Sequence, residues 1–206
     1  MNPNSGAPLL QAVAVRIISE FLRSSGHRDV VTVNRSGDTS APVDINCSYA
    51  GRRRRVKVKS DSYFGADAVK IADRNLVFYR ADMDCYAFES ISNHMTREPG
   101  WMFNSEADDL YYYYLVLSQT EEEVAALLSE PDAVFFSELA VDRDQLLILP
   151  MAETRNWFEG HYENYTPRPV SVGEHASWYR LIPRSDIGGA SAGIKTVGSI
   201  FADIAG

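Results

Sequence analysis

A chain of 206 residues with 45% hydrophobic and 23% charged side chains holds enough apolar material for one sizeable core and too much for wholesale disorder. The formal net charge of −8 argues against a protein that coats nucleic acid over its whole surface, because phosphate binding needs cations to displace counterions. No apolar run approaches the roughly 20 residues that cross a bilayer, and Met1 to Pro8 lacks the basic-then-apolar layout of a leader, so one cytoplasmic domain over 1–206 with no membrane role is expected.

Residues 8–25 carry Leu9, Leu10, Val13, Val15, Ile17, Ile18, Phe21 and Leu22 as a broad stripe at helical spacing, which predicts a first helix stopped near Gly26. Three segments of β character follow, Asp29 to Asn34, Val43 to Tyr49 and Arg54 to Ser60, separated by Ser36 to Ser40 and by Ala50-Gly51. Residues 61–82 show no clear period, and Cys85 to Ser92 reads as a fourth strand. From Ser105 to Leu117 a helical start is expected to run into a strand, since Ser105 suits a cap while Tyr111 to Tyr114 and Val116 favour β structure. Thr120 with Glu123 makes a capping box ahead of a helix at 121–129. The segment Ala133 to Pro150 predicts a strand pair broken around Asp142-Arg143-Asp144. A helix over Met151 to His161 follows, then a loop containing Pro and Gly, a strand at Trp178 to Pro183, and a small-residue tail from Gly188 to Gly206 read as a loosely packed helix.

The chemistry concentrates in the hairpin. Arg52, Arg53, Arg54, Arg55, Lys57 and Lys59 place six cations in eight positions of an otherwise acidic chain. Such a run fits a local grip on DNA phosphates, and it equally fits a solvated hairpin tip. Side chains of a strand alternate between faces, so Asp44 and Asn46 oppose Val43, Ile45 and Cys47, while Arg55, Lys57 and Lys59 oppose Val56 and Val58. A turn at Ala50, Gly51 and Arg52 then sets Asp44 beside Lys57 and Lys59. Phosphodiester hydrolysis requires carboxylates to hold a divalent cation and a group such as lysine to orient the nucleophile or stabilise the transition state, and this hairpin supplies part of that set. A cross-strand ion pair on a polar face accounts for the same residues.

Other chemistry is thinner. His27, His94, His161 and His175 show no metal-ligand spacing, no phosphate loop or nucleophile elbow occurs, and Cys47 and Cys85 read as core thiols. The tyrosines 111–114 are expected to pack in the core rather than to stack on bases.

The order helix, strand, strand with Asp44, strand with Val56-Lys57-Val58-Lys59 resembles the core of the PD-(D/E)XK nuclease superfamily, whose signature is an Asp on one strand and Glu-x-Lys on the next. The runs Lys59 to Tyr63, Pro99-Gly100-Trp101, Ser105 to Asp108 and Leu146 to Pro150 are similar to small resolvase-like members. The resemblance implies an α/β, restriction endonuclease-like core, a central mixed sheet flanked by helices. It implies Mg²⁺ or Mn²⁺ as cofactor, DNA as partner and, as in many relatives, a homodimer. Asp44 and Lys59 take the catalytic positions, with Glu20 placed for the acid that the family often carries on its first helix. Lys57 stands where the family has Glu, Asp or Gln, and a protonated lysine cannot bind a metal. A carboxylate from elsewhere must then complete the site: Glu89 first, making Asp44 and Glu89 the metal ligands, then Glu20, then Asp61. The function implied is a divalent-metal-dependent DNA endonuclease, and the alternative is a catalytically inactive nuclease-like domain that binds nucleic acid or a protein.

Overall fold

The apolar stripe at the N-terminus forms helix α1 (Ala7–Ser24), which buries Leu10, Val13, Ala14, Ile17, Ile18 and Leu22 and ends before Gly26, whose positive φ of 84° suits a residue without Cβ. The computed structural model describes residues 7–34, 41–61, 85–172, 175–188 and 193–205. Strands β1 (Arg28–Thr32), β2 (Ile45–Tyr49) and β3 (Arg52–Asp61) follow α1 as an antiparallel meander. The β2–β3 turn is the two-residue loop Ala50-Gly51, with φ of 50° and 77°, the positive values that a tight primed turn demands.

Between β3 and its parallel neighbour the chain builds β4 (Cys85–Asn93), the two-residue β5 (Glu98–Pro99) and the short helix α2 (Trp101–Asn104). It then enters β6 (Asp109–Leu117), which runs parallel to β3 from Val56↔Asp109 to Asp61↔Tyr114. Helices α3 (Glu121–Leu128) and α4 (Asp132–Glu138) lead to β7 (Val141–Pro150), helix α5 (Met151–His161), a single 3₁₀ turn, strands β8 (Pro167–Val172) and β9 (His175–Pro183), helix α6 (Arg184–Gly188), β10 (Lys195–Gly198) and α7 (Phe201–Ala205). The result is an α/β fold with a mixed six-stranded sheet in the order β1-β2-β3-β6-β7-β10 and a four-stranded antiparallel sheet in the order β5-β4-β9-β8.

Two apolar layers line the large sheet. On one face Ile45, Cys47, Val56, Val58, Tyr111, Tyr113 and Leu115 pack against α1, joined by Val124 of α3 and Phe135 of α4. On the other, Leu110, Tyr112, Tyr114, Leu147 and Leu149 meet Tyr86 and Phe88 of the second sheet, Trp101 of α2 and Phe158 of α5. Among the described residues the large sheet is therefore flanked by helices on one face and by a second sheet with α2 and α5 on the other, not by helices alone. Tyr112 and Tyr114 pin the two sheets together: the Tyr112 hydroxyl accepts from the Ala87 N–H at 2.8 Å and donates to Asp61, and the Tyr114 hydroxyl donates to the Cys85 carbonyl.

Four elements differ from the sequence expectations. Residues 109–117 form strand from their first residue, because β6 is bonded on both sides, to β3 and to β7; Ser105 starts no helix and donates its hydroxyl to the Pro42 carbonyl at 2.7 Å. The expected strand pair over 133–150 is a helix, α4, followed by one strand. Arg16 of α1 decides this. Its guanidinium donates to the carbonyls of Leu128 at 3.2 Å and Glu130 at 2.7 Å, pairs with Asp132 at 2.7 Å and covers the Phe135 ring at 4.1 Å. The expected loop after α5 contains β8, an edge strand, where Pro167 and Pro169 are tolerated because one side of the strand needs no N–H donor. The tail is docked rather than loose: β10 pairs with β7, Ile200 is buried, and the Asp144 carboxylate accepts from the N–H groups of Ile200 at 2.7 Å and Phe201 at 3.0 Å. The capping box of Thr120 with Glu123 is present, Cys47 and Cys85 are free thiols, and most of 61–82 lies outside the described residues. No helix among the described residues is long and apolar enough to cross a membrane.

Candidate functional site

The site begins where β2 and β3 part. Their ladder closes at Ile45↔Val56, with one further bond from the Asp44 N–H to the Val56 carbonyl at 2.9 Å. Beyond that point no strand among the described residues lies on the β2 side of β3, yet residues 57–60 are buried, and side chains take the place of a ladder. The Asp44 Oδ2 accepts from the Val58 N–H at 2.7 Å. Gln11, fully buried on α1, donates to the Val58 carbonyl at 2.7 Å and accepts from the Ser60 N–H at 3.2 Å and the Ser60 hydroxyl at 3.0 Å. Gln11→Ala is accordingly expected to cost about 1–3 kcal/mol for each backbone group left without a partner, a loss that urea unfolding measures; a change within about 0.5 kcal/mol would remove Gln11 from this role.

Asp44 and Lys57 form a closed pair. Their side chains both have 0% exposure, and Lys57 Nζ stands 3.3 Å from Asp44 Oδ2. The ammonium also donates to the Ala41 carbonyl at 2.6 Å and lies 6.0 Å from the centre of the Trp101 ring. The second Asp44 oxygen, Oδ1, accepts from the Asn34 amide. Burial pushes the Asp44 carboxyl above its ordinary value, while Lys57, Asn34 and the Val58 N–H pull it back.

Lys59 lies one pleat further along the same face. Its ammonium donates to the Ser60 carbonyl at 3.0 Å, pairs with Asp61 at 3.3 Å and stands 5.7 Å from the centre of the Tyr179 ring on β9. Glu89 faces these lysines from β4. It is 4% exposed, its Oε2 accepts from the Trp101 N–H at 3.0 Å, and burial raises its carboxyl pKa, against the opposing pull of that N–H, of Lys59, of the Tyr179 hydroxyl and of Lys57. Gly100 makes the approach possible, because a Cβ there would overlap the Glu89 carbonyl and sit 2.8 Å from its Cγ. A carboxyl whose pKa is raised on folding contributes stability below its unfolded pKa and loses it as pH rises through the folded value. Glu89→Gln, which keeps an acceptor for the Trp101 N–H, is therefore expected to melt a few degrees higher than wild type at neutral pH and to lose that advantage in acid. An advantage that grows towards acid would reverse this assignment.

The expected residues are brought together only in part. Asp44, Lys57, Lys59 and Glu89 share the space between the two sheets, and Asp61 joins through Lys59. Glu20 does not join them: it pairs with Arg23 at 2.9 Å on α1, the helix packed against the opposite face of the sheet. The residues that complete the site, Gln11, Asn34, Gly100, Trp101 and Tyr179, were not singled out as site residues from the sequence. Gly100 and Trp101 entered only as part of a run that carries the resemblance, and Gln11 carries a signal as a polar side chain set within an apolar helical stripe.

A divalent cation does not fit this donor set. Both Asp44 oxygens already accept hydrogen bonds, a resident ammonium 3.3 Å away repels a second cation, and among the described residues no group of three or more His, Cys, Asp or Glu side chains converges. What the arrangement does chemically is neutralise and hold: one buried carboxylate, satisfied by a protein cation, fixes the point where β3 leaves β2. Comparison with family models, with curated proteins and with solved structures finds no match for this chain.

Proposed function

We propose that this chain is a nucleic-acid-binding domain with a restriction endonuclease-like core that does not cut, its Lys57 supplying the positive charge that a metal ion supplies in a nuclease. The observation that carries this reading is the pair of Lys57 Nζ and Asp44 Oδ2 at 3.3 Å with neither side chain exposed. The ammonium takes the place beside the aspartate that a hydrolytic centre needs for its cation. Support for the core comes from chain order: α1, an antiparallel meander with Asp44 immediately before β2, and a crossover to a strand parallel to β3. Support for nucleic acid comes from the exposed arginines that continue β3 outward from this pair.

Duplex and single-stranded DNA incubated with Mg²⁺ or Mn²⁺ tests the reading. DNA is expected to bind with an affinity that falls with salt and to remain uncut. Cleavage by the wild type that Lys59→Ala abolishes would establish instead the metal-dependent endonuclease. Salt-insensitive or negligible binding would favour a protein-interaction domain.

A further inference from the structure

The nucleic-acid reading leaves open which surface takes the phosphates, and the strand register answers it. We propose that duplex DNA is held across the outer face of β1–β2–β3 by Arg28, Arg53 and Arg55, rather than by the arginine run as a whole. This rests on the nucleic-acid-binding reading above and specifies its surface.

The run Arg52 to Arg55 is a single charge block in sequence, but the pleat divides it. Arg52 pairs with Tyr49, and Arg54 with Cys47, so both point to the face that α1 covers, where Arg54 comes within 3.7 Å of Asp109. Arg53 pairs with Ser48 and Arg55 with Asn46, on the opposite face. Arg28 is added by a bulge. Between Arg28↔Ser48 and Val31↔Asn46 β1 carries an extra residue, with Asp29 at φ 51°, and this shift brings Arg28 and Val31 onto the face of Ser48 and Asn46.

Two rows therefore cross three strands: Arg28, Ser48 and Arg53, then Val31, Asn46 and Arg55. All three arginines are exposed. With strands about 4.8 Å apart and a rise of about 3.3 Å per residue, Arg28 and Arg53 stand roughly 10 Å apart and Arg53 and Arg55 roughly 7 Å apart. Their guanidinium forks match phosphate oxygens in pairs. Neither Arg28 nor Arg53 has an ion pair among the described residues. Arg55 pairs with Glu106 at 3.0 Å, but that carboxylate is 70% exposed, the kind of pair that a phosphate displaces at little cost. Two other acids lie nearby: Asp29 accepts from the Ser48 hydroxyl at 2.8 Å and Asp108 from the Arg55 N–H at 2.8 Å.

The face suits a phosphate backbone better than a protein. Its exposed apolar side chains are the small aliphatic Val31 and, just past the end of β1, Val33, 52% and 49% exposed, whereas protein interfaces are anchored by aromatic and larger apolar groups. Contacts of this kind position a duplex without reading its sequence.

Fluorescence anisotropy of a labelled DNA duplex over a series of salt concentrations tests the surface. With three phosphates engaged, log K is expected to fall with log salt at a slope of about −2.7. Arg28→Ala/Arg53→Ala should reduce the slope by nearly two and weaken binding alike for unrelated sequences. Arg52→Ala/Arg54→Ala, which removes the same charge from the other face of the same sheet, should change it by much less. Equal losses in the two double variants, or no loss in the first, would overturn this surface and leave the binding function standing. Absence of salt-dependent binding by the wild type would overturn both. Competition by polyglutamate as effective as by DNA of equal charge would replace the duplex with an acidic protein segment. Melting curves that match wild type confirm that each variant is folded.

Discussion

Asp44→Ala is expected to destabilise the protein by about 3–5 kcal/mol, the usual cost of removing one partner of a buried ion pair, because Lys57 is left charged with no exposed surface and the Val58 N–H loses its acceptor. The complementary change should cost less. In Lys57→Met the remaining carboxyl, which burial already pushes upward, takes a proton and becomes neutral. The sign of its pH dependence follows: a folded pKa raised above the unfolded one gives stability that is full in acid and lost as pH rises through the folded value. The methionine variant should therefore unfold more easily at neutral than at acid pH, and Asp44→Asn/Lys57→Met should remove that slope. Urea unfolding of the three variants across pH measures this. A loss below about 1 kcal/mol for Asp44→Ala would place the pair with surface ion pairs and remove the physical basis for treating Lys57 as a substitute cation.

The second large effect is a gain. Lys57→Glu puts two carboxylates where one carboxylate and an ammonium now meet, and like charges in a buried site cannot both ionise without a compensating cation. The variant is expected to melt well below wild type in chelator and to recover with Mn²⁺ or Mg²⁺. The recovery should reach about 2.7 kcal/mol when the ion is at a hundredfold excess over its Kd. The wild type should show no such rescue, because its ammonium already occupies the position. Lys57→Gln separates loss of the cation from gain of a ligand, since it removes the charge without adding a carboxylate. Equal response of the Glu and Gln variants to Mn²⁺ would show that no metal centre is latent here. A rise in the wild-type melting temperature would return the protein to the metal-dependent reading.

Much of the hairpin was legible from local chemistry. Alternation of Val56 and Val58 with Lys57 and Lys59 is a property of the pleat and needs no partner strand. A turn near Ala50, Gly51 and Arg52 sets Asp44 beside Lys57 and Lys59, and the structure makes it the two-residue loop Ala50-Gly51 with Tyr49 opposite Arg52. The same logic failed where a short apolar run fits two structures. Val134 to Phe136 reads as strand or helix until Arg16, more than a hundred positions away, takes up the carbonyls of Leu128 and Glu130. Tyr111 to Tyr114 carry β preference, but their division between two cores, with Tyr113 towards α1 and Tyr112 towards the second sheet, depends on which layers cover the sheet.

By itself the sequence determined the helix α1, the basic hairpin and the approach of one aspartate to two lysines, because each follows from bonds and side-chain directions within a few residues; that Asp44 pairs with Lys57 while Lys59 turns to Asp61 is a result of the fold. Only the tertiary structure decided that this pair is sealed from water, that Glu89 joins it while Glu20 does not, and that Arg28 belongs with Arg53 and Arg55. Burial, a bulge in a neighbouring strand and the stacking of one sheet on another are relations between distant segments, and no local pattern of residues encodes them alone.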